Sequence, residues 1–360
     1  MQSSLYYARK VCDTMMKKYD AEKLPPEGFF HYHQGVFLSG MLNTYKKSKD
    51  EKYYEYIKRW VDSIVYEDGS IHSFREEMLD DIQPAILLFD LYKRTGDKRY
   101  TIALQTLINV LHEWPRNPVG GFWHKYVHKN EMWLDGLYMA GPLEAQYSVE
   151  FGDTSLVETA IEQIIIMYEN MRDKETGLLY HAWDYYRQAP WADPETGLAP
   201  EFWGRALGWY VVAILDILEF VPKDHPKRQI IVHIEQEVLD AIVKYQDAES
   251  GMWYQVVNKG AWKGNWLESS CSSLFAYALA KSVRLGICDK KYLDVAQKAF
   301  DGIVNHSVEH KGEEVLIKNI CVGTGVCDYD GYISRPTSTN DLHGAGAFLL
   351  MCTELIEPER

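Results

Sequence analysis

Residues 121–153 read GFWHKYVHKNEMWLDGLYMAGPLEAQYSVEFGD. Gly121-Phe122-Trp123-His124 belongs to a loop rich in glycine and aromatic side chains. Apolar residues then recur at helical spacing from 133 to 150, and Phe151-Gly152-Asp153 ends that helix and offers an aspartate to cap the next. The same plan repeats outward in both directions. Helix-period spacing marks segments near 4–20, 33–47, 50–66, 80–95, 98–113, 133–150, 153–172, 202–220, 226–246, 266–285, 290–306 and 341–355. Two kinds of connection join them. Short turns at Ser48-Lys49-Asp50, Thr95-Gly96-Asp97, Phe151-Gly152-Asp153 and Ile287-Cys288-Asp289 predict antiparallel helix hairpins. Longer loops carry Gly28-Phe29-Phe30-His31, Gly69-Ser70-Ile71-His72, Gly121-Phe122-Trp123-His124, Gly177-Leu178-Leu179-Tyr180-His181 and Gly251-Met252-Trp253-Tyr254, and each predicts a small strand or hairpin before the next helix.

Helix hairpins alternating with long loops on one side describe an all-α, (α/α)6 barrel of residues 1–360, one domain with an inner and an outer layer of helices. An α-solenoid is the alternative, but its repeats would be more uniform in length. The long loops hold most of the Trp and His, and loops on one face of a rigid ring are where a site belongs.

Composition narrows the ligand. The chain has 11 Trp and 25 Tyr, side chains that pair a flat apolar face with a polar edge and suit ring-shaped polar ligands. A net charge of −14 argues against a nucleic-acid partner, which calls for a basic stripe. No window is apolar enough to span a membrane, and Met1–Asp20 lacks the uncharged core of an export signal. Six scattered cysteines without a C-x-x-C motif fit a reducing cytoplasm. Oligomeric state is not legible.

Candidate chemistry gathers at the predicted mouth. In Met132-Trp133-Leu134-Asp135-Gly136-Leu137-Tyr138-Met139, Asp135 is either a first-turn acid favoured by the helix dipole or a carboxyl whose apolar neighbours raise its pKa for general-acid work. Asp80 and Asp81 hold the equivalent place in Met78-Leu79-Asp80-Asp81, and either is a cap or a second pocket acid. Arg205 and Trp209, four apart in Phe202-Trp203-Gly204-Arg205-Ala206-Leu207-Gly208-Trp209, share a helix face. Arg205 is either a structural ion-pair partner or a fork of donors for a sugar carboxylate. His124, His181 and His343 fall in the predicted mouth loops. His124-x-x-x-His128 lacks the Glu of a zinc-protease helix, so no metal is expected, and no phosphate loop, nucleophile elbow or dinucleotide fingerprint points to a cofactor.

The stretch Gly121-Phe122-Trp123-His124-Lys125 through Met139, together with Phe202–Trp209 and Ser334-Arg335-Pro336-Thr337 through Phe348, resembles the unsaturated rhamnogalacturonyl hydrolases, glycoside hydrolase family 105. That resemblance implies a metal-free exo-acting enzyme that removes a 4,5-unsaturated uronic acid from small acidic pectin-derived oligosaccharides. It places the catalytic acid/base on Asp135, a second pocket acid on Asp80, and sugar contacts on His124, Lys125, Trp133, His181, Trp203, Arg205 and Trp209, with a looser match around His33. Rival readings are an N-acylglucosamine-type epimerase, which would move protons with histidines, and a non-catalytic sugar-binding protein.

Overall fold

The computed structural model describes residues 2–356. In chain order the elements are α1 (Ser4–Lys18), α2 (Tyr32–Ser48), α3 (Glu51–Ile64), α4 (Ile86–Thr95), α5 (Lys98–His112), β1 (Glu131–Trp133), α6 (Leu134–Phe151), α7 (Thr154–Met171), β2 (Ala182–Asp184), α8 (Gly204–Leu218), α9 (Arg228–Val243), α10 (Ser269–Arg284), α11 (Lys291–Ser307), β3 (Val308–Lys311), β4 (Glu314–Ile317), β5 (Ile320–Cys321), α12 (Tyr329–Ile333), β6 (Thr337–Ser338) and α13 (Leu342–Glu354). Helices α2, α4, α6, α8, α10 and α13 form a closed ring, with α13 against α2 and the 3-10 turns at 79–81 and 83–85 joining α4 to α6. Outside them lie α3, α5, α7, α9, α11 and α1, each paired with one inner helix. The protein is an (α/α)6 barrel, and its closure removes the solenoid alternative.

Local chemistry explains the hairpins. Lys49, Gly96 and Gly152 adopt left-handed backbone at the ends of α2, α4 and α6, and the Asp50, Asp97 and Asp153 carboxylates accept from the first amides of α3, α5 and α7. The inner helices are buried on nearly every side, as a helix between a core and a second layer must be; α8 buries everything from Gly204 to Leu215. The outer α3 instead buries one stripe, including Tyr53, Ile57, Trp60 and Ile64.

Four of the five long loops form the expected small hairpins, bridged at Val65–Ile71, Arg116–Phe122, Arg172–Leu179 and Tyr254–Leu267, whereas the stretch at Gly28 runs into α2 with no strand or bridge. Gly69 and Gly177 supply the positive φ two of those turns need; in the 116–122 hairpin that place belongs to Gly120, not Gly121, and Gly251 belongs to a separate turn over 247–252. Two expectations shift. The helix expected over 80–95 becomes α only at Ile86, because Pro84 sits in a 3-10 turn (Gln83–Ala85) that follows another over Leu79–Asp81. A short helix, α12, also appears that apolar spacing does not mark. The starts of α2 and α6, with the 3-10 turn over Leu79–Asp81, face one mouth of the ring.

Candidate active site

At that mouth lies a cavity of about 540 Å³ lined by residues that include His31, Tyr32, His33, Asp80, His124, Lys125, His128, Glu131, Trp133, Asp135 and Trp191. Asp80 lies on the 3-10 turn ahead of α4, where Met78 bridges to Lys125 of the neighbouring loop. This apposition brings the Lys125 ammonium to 2.8 Å from Asp80 Oδ2, with His31 Nε2 and His124 Nε2 each 3.9 Å from the carboxylate. Burial alone would raise the Asp80 pKa, but His124, Lys125 and His31 together bring it down to about 2. Asp81 points away and is gripped by Arg75 through two 2.6 Å hydrogen bonds. The histidines pay the converse cost: burial pulls His31 and His124 down to about 4, outweighing the attraction of Asp80.

Asp135 is the second residue of α6, and its side chain is 14% exposed. The amide of Leu134 donates to the His181 carbonyl, which sets the start of α6 against the β2 segment. His181 Nε2 thereby comes to 3.2 Å from Asp135 Oδ2, out of line for a hydrogen bond, and neither atom has another partner. On the other side of its ring, His181 Nδ1 is 2.6 Å from the Tyr332 hydroxyl. The raised pKa expected for Asp135 is not found. Burial pushes it up, but His181, then His124 and Arg205, outweigh that and hold the carboxyl below its ordinary value.

Behind this wall stands a second row that does not line the cavity. His181 sits between Trp203, with ring centroids 4.6 Å apart, and Trp133, at 5.3 Å. The Arg205 guanidinium lies 4.4 Å over Trp203 and donates to the Cys321 and Val322 carbonyls at 2.6 and 2.9 Å. Its observed partners are thus backbone oxygens that fix the loop after β5. Trp209 stacks on Tyr138 with centroids 4.6 Å apart. His343 is not in a mouth loop; it is the second residue of α13, fully buried, with Nε2 3.1 Å from the Cys321 carbonyl.

A glycoside hydrolase family accommodates this arrangement. The family model for Glycosyl Hydrolase Family 88 matches residues 7–358. A solved C. acetobutylicum glycoside hydrolase from family 105 is 36% identical, with a TM-score of 0.92 over 97% of this chain and 99% of that one. The chain belongs to these glycoside hydrolases. An unsaturated rhamnogalacturonyl hydrolase of Bacillus subtilis is 28% identical over 333 residues, 91% of this chain and 89% of its own. A structure from Salmonella enterica, described as a possible member of the same family 105, is 26% identical with a TM-score of 0.82 over 98% of this chain and 93% of that one.

The hydrolase's pocket also contains residues that sequence reasoning passed over. His128 Nδ1 lies 3.4 Å from Glu131 Oε2, which also accepts from Trp133 Nε1 at 2.9 Å. Trp191 arrives from the loop between β2 and α8. Among the described residues, His33, Asp341 and His343 form the one group whose donor atoms could converge on a metal ion, all within 4.8 Å of one another. The same geometry is that of a carboxylate between two imidazoles, Asp341 Oδ1 being 2.9 Å from His343 Nδ1 and 3.5 Å from His33 Nδ1. No helix among the described residues is long and apolar enough to cross a membrane.

Proposed function

We propose that the enzyme releases a 4,5-unsaturated uronic acid from the non-reducing end of pectin-lyase-derived oligosaccharides, the unsaturated rhamnogalacturonan disaccharide among them. The observation that carries this reading is the division between two carboxylates in one cavity: Asp80 is committed to Lys125, whereas Asp135 faces the cavity with one oxygen out of line for any hydrogen bond. Such a division suits one fixed anion and one group that carries a proton. The named activity of the Bacillus subtilis relative supports the same reading.

The unsaturated uronyl ring is a vinyl ether, with C4=C5 attached to the ring oxygen. Protonated Asp135 gives its proton to C4, and positive charge develops at C5 and the ring oxygen. Water adds at C5 while the Asp135 carboxylate takes a proton from it, so the acid is regenerated. The resulting hemiketal opens and the second sugar departs. No glycosyl-enzyme bond is needed, which frees Asp80 to hold Lys125 and the ring hydroxyls. The amino termini of α2 and α6 at the cavity favour the uronate despite the overall negative charge.

Hydration destroys the conjugated chromophore, so ultraviolet absorbance of an unsaturated galacturonyl-rhamnose disaccharide falls as it is consumed. Asp135→Asn should keep the fold and lower kcat by about 10²–10⁴-fold, the usual worth of a general acid. Near-normal turnover in that variant removes Asp135 from the chemistry. Activity lost only on histidine substitution points to epimerase-type proton transfer.

A further inference from the structure

The outer part of the cavity is assembled from three segments: Pro190 and Trp191, the stretch Gly323–Val326, and His128 with Glu131. Trp191 and Val326 both pack against the small cluster of Trp133, Ala182 and Ala199. Two of the three segments are pinned before any ligand arrives. The Asp184 carboxylate accepts from the amides of Tyr186, Gln188 and Ala189, and Trp183 Nε1 donates to the Thr196 carbonyl, which fixes the loop that carries Trp191. Opposite, Arg335 donates to the Gly323 carbonyl and the Thr324 hydroxyl, and it does not line the cavity. The result is a preformed aromatic platform whose geometry costs little to hold on binding.

The charges around this platform are unequal. Among the lining residues Lys125 is the one amine or guanidinium, already beside Asp80, while Asp80, Asp135 and Glu131 are carboxylic acids. One cation can serve one substrate anion, and the uronate is that anion. A sulfate ester or second uronate on the neighbouring sugar would find no free cation and would meet Glu131.

We propose that the sugar attached to the unsaturated uronate lies with its apolar face on Trp191, and that Glu131 is the specificity residue that rejects an anionic group on that sugar. The inference rests on the hydrolase reading above and deepens it. Glu131 suits the role because Trp133 Nε1 and the nearby His128 fix its carboxylate at the wall, leaving it little freedom to swing away.

The test compares two unsaturated galacturonyl-rhamnose disaccharides, the rhamnose unmodified in one and carrying a single O-sulfate in the other, followed by loss of absorbance. The neutral compound should have a kcat/KM at least about tenfold higher, and the ratio should shrink as added salt screens the like-charge term. Glu131→Gln keeps an oxygen to accept from Trp133 and should narrow the ratio severalfold. Trp191→Ala should raise KM for the neutral compound more than it lowers kcat. Equal kcat/KM for the two compounds, or a ratio that Glu131→Gln leaves unmoved, overturns the proposal while the hydrolase reading stands. No absorbance loss with either compound ends that reading and this inference with it.

Discussion

The Asp135 carboxyl is held below its ordinary pKa in the open pocket, burial being outweighed by His181, His124 and Arg205. A general acid needs the opposite, and the substrate can supply it. An entering uronate adds negative charge beside Asp135 and displaces water, and both changes favour the protonated carboxyl. Because kcat/KM reports the free enzyme and kcat the complex, the alkaline limb of kcat should lie at higher pH than that of kcat/KM. Coincident limbs would mean that the substrate does not tune the acid. Lys125 offers a second handle at this scale. Asp80 sits at about 2 because His124, Lys125 and His31 surround it, so Lys125→Met should move its titration upward and raise KM by about tenfold or more. An acid limb of kcat/KM that stays in place, with KM unchanged, would show that the pair is ornamental to binding. The main pocket residues, Asp80, His124, Lys125, Trp133 and Asp135, were legible from the family resemblance. Glu131, His128 and Trp191 were not, since His128 and Trp191 come from loops without periodic spacing and Glu131 from a strand of three residues, too short to show a period. The partners of Arg205 were not legible, because they are the Cys321 and Val322 carbonyls and backbone oxygens leave no mark in sequence.

At the scale of elements, the helix hairpins were readable because their turns use local chemistry: a left-handed residue and then a capping aspartate, as at Gly96-Asp97 and Gly152-Asp153. Another local signal went unused. Asp173-Lys174-Glu175-Thr176-Gly177, Asp193-Pro194-Glu195-Thr196-Gly197 and Asp247-Ala248-Glu249-Ser250-Gly251 are one turn repeated, the aspartate accepting from the Thr or Ser amide each time. The middle copy shapes the Trp191 loop and could have been found from the spacing alone. Ring closure had no such signature, because it depends on how closely α13 approaches α2. A Cβ at Gly346 would sit 2.6 Å from the Val36 carbonyl oxygen and the Phe37 amide nitrogen, and one at Gly40 would sit 2.6 Å from Leu349 Cβ. Backbone cannot yield as a flexible side chain would. Gly346→Ala should therefore destabilise the protein by about 1–3 kcal/mol or more, read as a lower denaturant midpoint with little change in slope. An unaltered midpoint would mean that the two helices can slide apart freely.

The whole barrel contains acids that its chemistry does not use. Glu144 on the inner helix α6 is 1% exposed and its Oε2 has no hydrogen-bond partner; Glu235 on the outer helix α9 is fully buried with both oxygens unpartnered. Burial pushes Glu144 up to about 8, opposed only weakly by Arg116, and raises Glu235 well above the carboxylate range. Glu144 is protonated in the folded chain near neutrality and ionised in the unfolded one. Between roughly pH 4.3, where an unperturbed Glu titrates, and about 8 for Glu144, the folded state binds the extra proton, so stability falls as pH rises. The limiting slope is about 1.4 kcal/mol per pH unit for each such acid. Glu144→Gln removes one contribution while keeping size and polarity, so its stability should exceed that of the parent by most at pH 8 and by least at pH 5. The net charge of −14 adds self-repulsion in the same direction, but it changes little between the two proteins and drops out of their difference. Urea midpoints of the parent and Glu144→Gln, measured from pH 5 to 8, separate these terms. Parallel pH profiles would mean that Glu144 carries the same charge in the folded and the unfolded chain.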